Sequence, residues 1–554
     1  MREAATEDHR ASDARNTWSS WRNCRASLLL VVALVLGSRA GAQLPPYPVP
    51  LSNTEDARTL PKGVVLFRAL NAWTRVDGVY DATADSLHRL HPLGNAFAFE
   101  SLGVRQFPAL AAAQTALRTL TGNPNLSLNL GQTFATADTR YVTTPFSLAY
   151  GLTNRLTIGA MVPLVQTQAT VFVELNPKRL GGATGANVGP NPAQLGNATA
   201  QAKNAQVIAS LDAAASALNG YLTNCAQSGS CPAADVTTAN ALLAQTAADK
   251  AAIQALYGTS RFAPLGNAQV QVAAKLGELA AAINTLLSSN FAFGEPTKAN
   301  APAALFQLQQ LATDIPSPAY DSLGSPGDIS VGDIEISALY KLVDGFSDTT
   351  GGVRLRGTIR GAVRLGTGRP PSGTVPFEVG TGTGQTSADG GAIFDVMLGR
   401  HFMTTLGAQY TAYFTSATVA RMPNSDYALF PMDTPVSGTW REGNAIQVDA
   451  MPRFLITDYF TIHGAYTMRH QAASNYTSPD VSEPPLFQAS TEQRVGLGFG
   501  YSTVARYARS VATVPFEVFY THLETIAATG GLTPKYRRDQ IEFRIYYRLR
   551  RAGR

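Results

Sequence analysis

Val353-Arg354-Leu355-Arg356-Gly357-Thr358-Ile359-Arg360-Gly361-Ala362-Val363-Arg364-Leu365 alternates between apolar or small residues and mostly polar ones. A period of two is the mark of a strand with two unlike faces. Upstream, across a segment rich in Gly, Asp and Thr (345–352), Ile334, Ile336, Ala338, Tyr340 and Leu342 alternate with Asp333, Glu335, Ser337, Leu339 and Lys341, so 332–366 reads as a hairpin. A soluble sandwich would turn the apolar face inward and leave the four arginines in water. A transmembrane barrel puts the apolar face on lipid and the charges in a wet lumen.

Composition narrows the choice. Only 15% of the 554 residues are charged, while Gly (48), Tyr (20) and Phe (24) are prominent, and a net charge of +5 on this length gives no support to nucleic-acid binding. The longest apolar run, Leu28 to Leu36, is too short for a helical membrane span. With Arg22 and Arg25 before it and Ala40-Gly41-Ala42 after it, the run reads as a secretory signal peptide over 1–42, cleaved after Ala42. Cys24 precedes the apolar core and so cannot be the acylated cysteine of a lipoprotein signal. Cys225 and Cys231 remain, and in an exported chain they are a disulfide candidate; a metal site would need a nearby His or further Cys.

Behind the signal, 43–175 is expected to hold the first barrel strands with one long loop, 176–326 a helical insertion, and 327–554 the remaining strands. In the insertion the period changes to helical: Val272, Leu276, Leu279, Ile283 and Leu286 mark one apolar stripe, and Ile208, Leu211, Ala215, Leu218 and Leu222 another. Strand patterns begin at Val64–Trp73, Tyr141–Gly151 and Leu156–Leu164. After the hairpin they recur around Val396, Tyr410, Val448, Ile462, Leu497, Val518 and Ile545, for a total of twelve. Pro452 within one of them is expected to mark a bulge. Joins near Thr153, Thr349, His401, Asp458 and Arg509 are short, whereas the others are long, including 75–137 and 176–327. Alternating short periplasmic turns with longer outer loops is the habit of an outer-membrane barrel. The expected fold is therefore an all-β transmembrane barrel of about 12 antiparallel strands, with an Ala-rich α-helical insertion in one long outer loop.

Three stretches also look familiar: Pro145-Phe146-Ser147-Leu148-Ala149-Tyr150-Gly151-Leu152-Thr153-Asn154-Arg155-Leu156, Gly332-Asp333-Ile334-Glu335-Ile336, and Leu365-Gly366-Thr367-Gly368. They resemble the outer-membrane family called MetA-pathway of phenol degradation proteins over about 60–551. The resemblance implies a porin-like channel for hydrophobic or aromatic compounds, without catalytic residues or cofactor. The helical insertion and the ending Arg550-Arg551-Ala552-Gly553-Arg554, in place of a terminal aromatic, depart from that pattern.

By parity, the lumen is expected to receive Asp333, Glu335, Arg354, Arg356, Arg360, Arg364, Asp395, Asp449, Arg453, Arg469, Arg494, Glu517, Glu542 and Arg544. Both signs are present, with a basic excess. Ion-pair ladders that hold the wall together are one role for them, and a field that favours anions is the other. The functional expectation is an outer-membrane channel or transporter for passive uptake of small hydrophobic or aromatic compounds, with membrane lipid and solute as partners. The alternative is a surface scaffold or adhesion protein that meets a partner through the helical insertion. An outer-membrane hydrolase is a third reading, but His401, His463, His470 and His522 are scattered, with no G-x-S-x-G elbow.

Overall fold

The computed structural model describes residues 55–80, 90–182, 185–304, 327, 329–346, 352–371, 379–421, 435–479, 489–530 and 533–549. The expected signal peptide and the turn at Thr349 lie outside them. Twelve antiparallel strands close into a barrel: β1 Val64–Tyr80, β2 Thr133–Gly151, β3 Leu156–Leu175, β4 Ile334–Asp344, β5 Val353–Leu365, β6 Ser387–Leu398, β7 Phe402–Tyr413, β8 Ala445–Leu455, β9 Phe460–Gln471, β10 Ser490–Ser502, β11 Phe516–Thr529 and β12 Thr533–Arg548. Closure comes from β12 on β1, paired from Val64 with Arg548 to Tyr80 with Thr533. A closed ladder leaves no edge unpaired.

Alternation sets the two faces. Phe67, Trp73, Leu148, Ile158, Ile359, Tyr410, Phe454, Ile462, Phe499 and Phe543 are exposed outside, while Thr74, Thr143, Glu335, Thr358, Asp395, Thr405, Thr521 and Glu542 are buried inside. Aromatic pairs cluster on the outside at the end with the short turns, among them Tyr459 with Tyr501, Phe460 with Phe499, and Tyr501 with Phe516. Such girdles suit the two membrane interfaces.

Pro452 makes no bulge. The pairs Ala450–Tyr466 and Arg453–His463 keep one register across β8 and β9, and the ladder merely lapses between them. Lacking an N–H, the proline drops out of the ladder, and its ring packs 3.3 Å from where a Cβ on Gly464 would stand. The register shifts lie elsewhere, between Val76 and Val79, Lys341 and Val343, and Gln493 and Arg494.

Among the described residues the long loops carry four α-helices: α1 Ala111–Thr121, α2 Ala198–Ser228, α3 Ala233–Ile253 and α4 Asn267–Leu287. Asn197 caps α2 by accepting from the amide of Ala200, and Gly229 at φ 63° ends it in the left-handed conformation that glycine adopts without strain. The buried stripe of α2 is Asn204, Val207, Leu211, Ala214 and Leu218, rotated slightly from the stripe drawn through Ile208 and Leu222. By length and composition α4 could cross a membrane; it packs instead on α1 and α3, burying Val272, Leu276, Leu279 and Ile283. Cys225 and Cys231 are bonded where α2 turns into α3.

Candidate functional site: the barrel lumen

The segment that precedes β1 runs into the lumen, where it meets wall side chains. Gly63 donates to Gly151 O at the inner rim (2.9 Å), and the amide of Leu60 donates to Thr157 Oγ1 (2.8 Å). The amide of Ala57 then donates to Asp395 Oδ2 at 3.0 Å. Residues 55–58 thus place Glu55, Asp56 and Arg58 among wall charges, a location that parity reasoning could not reach because the segment has no strand period.

Arg58 bridges Asp56 and Glu517, at 2.7 and 3.1 Å. Asp56 also faces Arg453 at 3.7 Å and Arg356 at 3.9 Å. Glu55 meets Arg68 at 3.0 Å, and Arg68 meets Glu542 at the same distance. On the wall, Arg356 pairs with Asp395; Arg360 and Arg364 share the two oxygens of Glu335; Arg364 lies 3.8 Å from Asp389; Arg544 sits between Glu542 (2.8 Å) and Glu517 (3.6 Å).

The signs balance. The wall contributes six bases (Arg68, Arg356, Arg360, Arg364, Arg453, Arg544) and five acids (Glu335, Asp389, Asp395, Glu517, Glu542), and the segment contributes Glu55, Asp56 and Arg58, so seven bases face seven acids. The expected basic excess is absent from this network. Its reasons are local: β6 sets Asp395 opposite Arg356 and Asp389 opposite Ala362, and the segment adds one net negative charge. Taking paired charges out of water is tolerable only with such satisfaction.

The remaining expected lumen residues have other tasks. Asp333, just ahead of β4, does not join the arginines. It accepts from the amides of Gly368 (2.9 Å) and Thr383 (2.7 Å) and so pins both arms of the outer loop between β5 and β6. Arg354 reaches Gly399 O at the inner rim (3.0 Å) and lies over the Phe346 ring. Asp449 accepts from Gln447 and Thr467, Arg469 donates to the Tyr413 hydroxyl at 3.2 Å, and Arg494 pairs with Glu492 beneath Tyr536.

His463 is buried against Phe519 and bonded to Thr521. His522 bonds Asp539 on the outer face, whereas His401 bonds Leu455 O and His470 bonds Thr491. Among the described residues none of these four is hydrogen-bonded to a serine, and His463 and His470 each meet a threonine hydroxyl at 2.9 Å.

Two cavities flank the ion network, of about 80 and 50 Å³, and both are lined by Glu55 and Arg360. Each has room for a few waters. Toward the outside the lining changes character: Val76, Tyr80, Tyr141, Val165, Ala169, Val173 and Tyr536 face in, with Thr74, Thr139, Thr143 and Thr167 between them. Most of those apolar side chains continue into one cluster with Leu93, Phe97, Phe107, Leu117 and the buried stripes of the helices. The insertion is therefore packed onto the barrel mouth.

No protein-family model and no curated protein matches the chain. Among solved structures it is similar to an outer membrane channel from Pseudomonas putida F1 (TM-score 0.40, 8% identity, covering 89% of this chain and 98% of that one). It is also similar to the P. putida toluene transporter TodX (0.26, 10%, 89% and 91%) and to a Pseudomonas aeruginosa FadL homologue (0.26, 8%, 88% and 91%).

Proposed function

We propose that this protein is an outer-membrane channel through which small hydrophobic or aromatic compounds pass by diffusion. The observation that carries the reading is the segregation of lumen side chains. A charge-balanced, segment-filled inner half lies under an outer half lined by Val76, Tyr80, Tyr141, Val165, Ala169, Val173 and Tyr536 and capped by apolar helices. An open aqueous pore needs a wide, polar, unobstructed lumen, and twelve strands leave less room than the sixteen of a general porin. An apolar vestibule instead favours apolar solutes, since each buried CH₂ is worth about 0.8 kcal/mol against water. The resemblance to the phenol-degradation family agrees with this reading. The scaffold alternative gains little, because the helices spend their apolar faces on the barrel mouth.

The test compares outer-membrane vesicles with and without the protein for uptake of a labelled monoaromatic and of a sugar of similar mass. Faster uptake of the aromatic alone is expected. Equal acceleration of both, or of neither, would overturn the reading.

A further inference from the structure

Outside the barrel, one row of side chains breaks the rule that like charges avoid each other across strands. Arg75 of β1 stands directly opposite Arg140 of β2 on one side and Arg537 of β12 on the other. The row ends in Gln168 of β3 beyond Arg140 and Glu524 of β11 beyond Arg537. All three guanidinium groups share the outward parity of Trp73 and Phe543 and are about half exposed, at 50, 61 and 47%. Three like charges in register destabilise a sheet unless something answers them.

The protein answers only in part. Asp138 is shared by Arg75 (3.4 Å) and Arg140 (2.9 Å); Glu524 is shared by Lys535 (3.1 Å) and Arg537 (3.2 Å); Asp77 lies 3.6 Å from Arg537. Among the described residues four cations face three anions. A guanidinium carries five N–H donors, so the contacts with these carboxylates leave donors directed outward. One outward position deeper, beside Trp73, Asp539 is taken up by His522 and Tyr520.

Height identifies what meets the row. Val65 is the first outward-facing residue of β1, and Arg75 is ten residues on. At ~3.3 Å per residue and a tilt of ~40°, that is roughly 25 Å along the barrel axis, the height of the apolar belt of such proteins. The arginines therefore stand at the outer boundary of the belt, and with strands ~4.8 Å apart they spread over roughly 10 Å.

We propose that Arg140, Arg75 and Arg537, flanked by Gln168 and Lys535, bind the phosphate groups of a phosphorylated glycolipid of the outer leaflet, a proposal that rests on the outer-membrane reading above. Guanidinium forks match phosphate oxygens in pairs, and the amide of Gln168 suits sugar hydroxyls.

The test uses full-length protein purified from outer membranes, with R75Q/R140Q/R537Q and D138N/E524Q as variants, each first shown to keep the heat-modifiable mobility of a folded barrel. Glycolipid phosphate retained per barrel should fall roughly tenfold in the triple arginine variant, given the strength of charge-assisted hydrogen bonds. It should rise in D138N/E524Q, where the competing anions are gone, and a change in folding alone would not produce that increase. Added lipopolysaccharide should raise the unfolding temperature of the delipidated wild type more than phosphatidylglycerol vesicles do at equal phosphate. Equal retention by wild type and the triple variant, or equal protection by the two lipids, would overturn the proposal while leaving the channel reading intact. Recovery of the barrel outside the outer-membrane fraction would overturn both.

Discussion

Asp395 in β6 accepts a 3.0 Å hydrogen bond from the backbone amide of Ala57, so a residue of the wall holds a residue ahead of the first strand. That bond, with the ion pairs of Asp56 and Glu55, anchors the segment in the lumen. Removing residues 43–58 should therefore leave the wall closed, because β1 begins at Val64, while widening the conduit. It also uncovers the excess of one positive charge that the wall contributes to this ion network. Single-channel conductance in a planar bilayer should rise severalfold and turn anion-selective; an unchanged trace would show that the segment does not limit flow.

Glu335 is the hinge of the wall pairing, since both Arg360 and Arg364 depend on it. Glu335→Gln leaves two buried guanidinium groups short of charge and is expected to cost about 3–5 kcal/mol, seen as a lower temperature for the mobility shift of the folded barrel. R356Q/R360Q acts differently. It leaves seven acids facing five bases, so reversal potentials should move toward cation preference, while Arg364 still serves Glu335.

How much of this was legible in the chain depends on where lipid lies. Within the membrane, alternation is enforced on both faces, so β4 through β9 could be read from residues such as Ile359 and Arg360. Above it water replaces lipid, and Thr136, Asp138, Arg140, Gln166, Gln168 and Thr170 sit on the outward face, so the contrast fades. That is why β1 runs on to Tyr80, β2 starts at Thr133 and β3 continues to Leu175, beyond the ends drawn at Trp73, Tyr141 and Leu164. The lumen charges on strands followed from parity. Glu55, Asp56 and Arg58 did not, because an irregular segment has no parity and most of its wall partners, such as Glu517 and Asp395, lie hundreds of residues away. Asp389 could have been found, since it shares the parity of Asp395 on the same strand.

The tip of the helical hairpin supplies a topological test. Ser230 is exposed between the two bonded cysteines, whereas Asn154 sits in the tight turn at the opposite end of β2. A tag at Ser230 should be reached by antibody on intact cells, and one at Asn154 only after the outer membrane is opened. Cys225 and Cys231 should resist alkylation until reduced. C225S/C231S should loosen the hairpin by about 2 kcal/mol, as expected for so short a loop. Reversed labelling would invert the barrel.

Asp249 gives the last prediction. It lies in α3, outside the membrane-spanning strands, and is buried with an Oδ2 that finds no hydrogen-bond partner among the described residues. Burial pushes its carboxyl up to about 6, against the opposing pull of a Gln245 hydrogen bond and the charge of Lys275. A carboxyl raised in the folded state favours folding while it is protonated, so its contribution is fully present below the ordinary carboxylate value and is lost as pH rises through about 6. The helical bundle should thus unfold at a lower temperature near pH ~8 than near pH ~4, by a margin of order 2 kcal/mol from this group. Asp249→Asn keeps the shape and removes the charge, so it should raise the melting temperature of the helical circular dichroism signal at the higher pH and leave it nearly unchanged at the lower. The strands report separately through the mobility shift, which this substitution should not move. A variant that melts like wild type at both pH values would show that water reaches Asp249 and that its ionisation costs the bundle nothing.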